Sequence, residues 1–169
     1  MKLQARRMAV CSMMAALGVV LLLLGAVLSL GMYACPMIVG LCLIPVGETY
    51  GKKYQLLLWL VISFLSMLLV PNPEENLMFF GLFGWYPILW PGLQRLPKGL
   101  RMPIKLLLFN GVVIALEALV LLVLAPEAME TAMLFLLLLL GNVTFVLYDR
   151  VIPKFGLIAG KYLKKFTGS

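Results

Sequence analysis

The chain has 169 residues, 63% of them hydrophobic and 12% charged, with a mean hydropathy of +1.07 and a net charge of +7. A soluble domain is about 45–50% apolar and about 25% charged, and a chain this short has too much surface to hide the excess. Lipid is the solvent that fits, and the basic residues, set between or beyond the apolar runs, read as headgroup anchors with no role for nucleic acid.

Six apolar segments follow in order, which predicts an all-α, polytopic integral membrane protein with a six-helix transmembrane bundle. The first covers about residues 8–30, behind Lys2, Arg6 and Arg7. It is too long for a signal h-region and reads as an uncleaved span. Cys11 and Ala15, and Ser12 and Ala16, stand four apart and form a smooth stripe suited to close helix contact. The second segment, 34–47, is short and leads through Gly47-Glu48-Thr49-Tyr50-Gly51 to Lys52 and Lys53. The third, 54–70, ends at Pro71 and Pro73, with Glu74 and Glu75 in the following turn.

The fourth segment, 77–92, is again short and carries Gly81, Gly84, Tyr86 and Pro87, a composition that allows a kink and a cavity. Arg95, Lys98, Arg101 and Lys105 form the next connection. The fifth segment, 104–124, contains Asn110 and Glu117, seven residues apart and on nearly one face. Pro126, Glu127 and Glu130 mark the turn into the sixth, 129–148, which contains Asn142. Asp149 then stands beside Arg150 and reads as half of a local ion pair. A basic cytoplasmic tail fills 150–169.

With six spans, all 14 Lys and Arg residues fall on one side, and Glu74, Glu75, Glu127 and Glu130 on the other. The positive-inside rule then puts both termini in the cytoplasm. The expected location is the bacterial cytoplasmic membrane.

Catalytic signatures are missing. Histidine is absent, the three cysteines Cys11, Cys35 and Cys42 form no CxxC, and there is no nucleophile elbow or P-loop. The expectation is a non-enzyme without metal or cofactor. An intramembrane ionisable group is a functional candidate by default, so Glu117 leads the candidate solute-binding residues, with Asn110, Asn142 and Tyr86 beside it. Asn142 also reads as interhelical glue.

The stretch Arg7-Met8-Ala9-Val10-Cys11-Ser12-Met13-Met14-Ala15-Ala16-Leu17-Gly18-Val19-Val20 resembles the start of S components of energy-coupling factor transporters. Those are six-helix, substrate-binding membrane subunits of about this size. The resemblance implies a vitamin or other small solute as substrate, a transmembrane coupling subunit and ATPase subunits as partners, and docking through Cys11/Ala15 or Ser12/Ala16, where Cys or Ser replaces the first Ala of the family's Ala-x-x-x-Ala. The alternatives are a non-transporting scaffold or regulatory subunit of a larger membrane complex, and a small self-contained carrier or lipid flippase using Glu117.

Overall fold

The computed structural model describes residues 2–28, 34–123 and 131–167 and, within them, the side chains of 4–28, 34–120, 122 and 138–158. Every regular element among them is a helix: α1 (Lys2–Leu28), α2 (Ala34–Tyr50), α3 (Lys52–Leu69), α4 (Pro73–Met78), a π-helical turn (Phe79–Phe83), α5 (Tyr86–Leu93), α6 (Lys98–Val123) and α7 (Thr131–Thr167). Among the described residues, three stretches are long and apolar enough to cross a membrane: Gln4–Leu28, Lys52–Leu69 and Lys98–Val120. Their outward residues are apolar too, with Leu107 77%, Val27 76% and Phe64 67% exposed. Such a surface suits a membrane location and would be costly in water.

Two cores meet at α2. On one side Ala15, Val19 and Leu22 of α1 pack with Val39 and Leu43 of α2 and Leu58 and Ile62 of α3. On the other, Ile44 of α2 joins Phe83, Tyr86, Phe109, Phe145 and Tyr148, which come from the π turn, α5, α6 and α7. Helix α2 therefore occupies the centre and packs on α1, α3, α5 and α7. A helix enclosed on several sides needs apolar residues around much of its circumference, and α2 supplies them. It turns into α3 at Gly51, whose φ of 97° is a conformation that glycine adopts without a Cβ clash.

The fourth apolar segment is interrupted. Val70 is extended, as the residue before a proline prefers, and ends α3. The Asn72 side chain accepts a hydrogen bond from the Glu74 N–H at 3.2 Å and starts α4, with Pro73 in its first turn. The helix then widens: Gly84 N–H donates to the Phe79 carbonyl, five residues back, at 2.8 Å. Pro87 has no N–H, so the Phe83 carbonyl has no helical donor at the usual spacing. Tyr148 Oη donates to it from α7 at 3.3 Å, and the Trp85 indole donates to Gly81 O at 2.5 Å. Side chains thus meet backbone acceptors around the break, as a low-dielectric surrounding requires.

Two boundaries change where charges lie. Helix α6 begins at Lys98, so Arg101 and Lys105 stand on a helix and not in a connecting loop. Helix α7 has 37 residues, about 56 Å at 1.5 Å per residue, and runs through Pro153 to Thr167. The segment read as a tail is thus continuous with the sixth apolar segment up to that point. The turn with Pro126, Glu127 and Glu130, and the end of the first segment at 29–30, lie outside the described residues.

Candidate functional site

A buried charge cluster ties α5, α6 and α7 together. Lys105 Nζ lies 2.6 Å from Asp149 Oδ1 and 2.8 Å from Oδ2. Their side chains are 1% and 9% exposed. Tyr86 Oη donates to Asp149 Oδ1 at 2.6 Å, and Trp90 Nε1 donates to the same oxygen at 2.9 Å. The ammonium also sits 5.6 Å from the centre of the Trp90 ring. Tyr86 and Trp90 are four apart on α5 and so share a face. Each brings an apolar ring with a polar tip, which fits a site where greasy packing meets a charge.

The arrangement makes energetic sense only as a set. Removing two ions from water costs several kcal/mol each, and their attraction offsets this only when the remaining lone pairs and protons are met. Here Asp149 receives four hydrogen bonds, two from Lys105 and one each from the two rings. The result is a rigid knot: loss of one member strands the others.

Trp90 also lines a cleft of about 460 Å³, together with Gly47, Glu48, Lys52, Gln55 and Pro153. This is the basic end of the bundle, where Arg7 also lies 5.8 Å from the centre of the Tyr50 ring. A second cavity, about 350 Å³, lies at the other end, against Met67, Val70, Pro71, Asn76 and Leu119. There Glu75 is 0% exposed, yet neither carboxyl oxygen has a hydrogen-bond partner, and neither does Asn76 Oδ1.

The residues singled out from sequence do not converge on one site. Tyr86 belongs to the charge cluster. Asn110 and Asn142 bond each other reciprocally at 3.1 and 2.9 Å, and each Nδ2 also donates to a carbonyl one turn back on its own helix. Each amide's donors and acceptor are thereby engaged, the pattern of interhelical glue. Glu117 is half-buried, and the charge that reaches it is another carboxylate, Glu74. Asp149 pairs with Lys105 and not with Arg150, because neighbours in a helix point about 100° apart and cannot share a partner face.

The α1 stripe divides. Ala15 is buried and Cys11 packs against the same core, so this pair faces the bundle. Ser12 and Ala16 are exposed, with the Ser12 hydroxyl donating to Met8 O at 2.9 Å.

Sequence reasoning passes over Lys105, Trp90 and Glu75. The first two were legible in part: an unmatched basic and acidic residue at the borders of consecutive apolar runs, with two ring donors at helical spacing. Glu75 gives no such signal, because Pro71-Asn72-Pro73-Glu74-Glu75 reads as a solvated turn. No protein family, characterised protein or solved structure matches this chain. The likeness of α1 to S components rests on the residues quoted above.

Proposed function

We propose that the chain is a solute-binding membrane subunit of an uptake transporter of the energy-coupling factor type. It has six spans, both termini in the cytoplasm, and lies in the bacterial cytoplasmic membrane. The observation that carries this function is the interrupted fourth segment. Broken membrane helices, whose freed backbone groups need local partners, are a recurrent construction at transporter binding sites. Here the break over Phe79–Trp85 lies between the sealed Glu75 and the Tyr86–Asp149–Lys105 cluster. The cluster holds the basic end fixed, while the opposite end carries a cavity and underused acceptors; that asymmetry suits capture of a solute from outside.

The exposed Ser12/Ala16 face of α1 supplies the docking surface for a coupling subunit, and Cys11/Ala15, turned inward, does not. Energy comes from ATPases acting through that partner, since the chain has no nucleotide-binding loop of its own.

The test is purification of the tagged chain from native membranes in mild detergent. A coupling subunit and ATPase subunits should co-purify, and Ser12→Leu with Ala16→Leu should release them while the chain still folds. Co-purification of an unrelated machine, or retention of every partner by the double variant, contradicts this assignment.

A further inference from the structure

We infer that Glu75 is a proton-binding site, and that the junction of α1, α2 and α4 is closed when Glu75 holds its proton and opens when the proton leaves. The inference is independent of whether the chain carries a solute.

The geometry is that of a sealed acid. Glu75 is 0% exposed and both oxygens lack partners. One oxygen rests on the α1 backbone at Gly25, where an added Cβ would overlap Glu75 Oε1 and would lie 2.8 Å from Cys35 Cβ. At Gly25 the carboxyl oxygen is packed directly against backbone, and a proton is the ligand that needs no added space there.

The charges around the site supply no substitute. On its own helix stands Glu74; α2 brings Cys35; α6 brings Glu117, within reach of Glu74; and the stretches of α1 and α3 near this end, 8–28 and 55–69, carry no charged residue. Among the described residues no cation faces the carboxyl. An ionised carboxylate here would be buried without a donor, a state costing several kcal/mol. It has two remedies: keep the proton, or move to water. Burial accordingly pushes the Glu75 carboxyl up to about 7, so both outcomes fall within the physiological range.

Opening is the motion that the elements allow. Helix α4 has only six residues, beginning at Pro73 just after Pro71 and Asn72 and running into the π turn. It can swing without unwinding a long helix. By linkage, a proton bound tightly to one state and weakly to the other shifts the balance between them.

Cys35 reports on the junction, being 8% exposed beside Glu75. The experiment uses the full chain with Cys11→Ala and Cys42→Ala, in lipid nanodiscs. The rate of alkylation by N-ethylmaleimide is measured from acid to alkaline pH, with and without Glu75→Gln. The intrinsic gain in thiolate with pH cancels in the ratio of parent to Glu75→Gln. That leaves the two opposed effects of Glu75: opening, which raises the ratio, and repression of the thiolate by a nearby carboxylate, which lowers it. The ratio should be near one in acid and should rise about tenfold or more through neutral pH. A ratio that stays flat, or falls because a fixed Glu75 carboxylate represses the thiolate without opening, overturns the inference. If Glu75→Gln does not fold, the parent protein and Glu117→Gln decide by infrared spectroscopy. A protonated-carboxyl band that persists at neutral pH in both supports Glu75 as its source. Its absence from both, or its loss with Glu117→Gln, overturns the inference.

Discussion

Lys105 and Asp149 show what a single residue can and cannot reveal about itself. They stand 44 positions apart and meet at 2.6 Å. Arg150 is adjacent in the chain, but helix geometry turns it away. A local reading therefore selects the wrong partner, and only the packing of α6 on α7 supplies the right one. Lys105→Met alone strands Asp149 and should cost about 3–5 kcal/mol. Adding Asp149→Asn removes the stranded charge, and the amide oxygen still accepts from Tyr86 and Trp90. The double variant should recover more than half of the lost stability, measured by unfolding in detergent micelles. Glu75 gives a prediction of opposite electrostatic character. Its carboxyl is raised from 4.5 to about 7 by burial, so between these values the folded chain binds a proton that the unfolded chain has lost. The contribution of Glu75 to stability, read as the difference between the parent and Glu75→Gln, should be greatest below about 4.5, decline as pH rises to about 7, and then level off. A parent that does not lose stability relative to Glu75→Gln over that interval would refute the assignment.

At the scale of elements, the helices were legible and their breakers only in part, and the contacts between helices were not. Pro71, Pro73 and Pro87 mark real interruptions because proline acts through its own backbone, whereas Pro103 and Pro153, which read as loop borders, lie inside α6 and α7. The π turn and the donors that repair it depend on Tyr148, 65 residues beyond Phe83, and no local pattern contains that information. Tyr148→Phe removes the donor to the Phe83 carbonyl and should cost about 1 kcal/mol, the low end for a lost partner, since the bond is long. The Asn110–Asn142 pair was half legible: polar residues in apolar runs imply interhelical bonds, but not which ones. A double-mutant cycle with Asn110→Ala and Asn142→Ala should give a coupling of about 0.6–2 kcal/mol. Zero coupling would mean that the two amides find other partners.

For the whole molecule, composition alone indicated helices in lipid, because 63% hydrophobic residues leave few other solutions. The proposed orientation follows from the charge pattern by the positive-inside rule: Lys52, Lys98 and Lys154 on the cytoplasmic side, Pro71 to Glu75 outside. The proposed function depends on the interrupted segment crossing the membrane, with Asn72 at one end and Lys98 beyond the other. The most direct test is single-cysteine labelling in intact cells, on a background without Cys11, Cys35 and Cys42, using a membrane-impermeant maleimide. Asn72→Cys should label from outside, and Lys98→Cys should label only after the membrane is permeabilised. Both positions labelling from the same side would show that the segment does not cross, and would contradict the six-span, outward-capturing subunit.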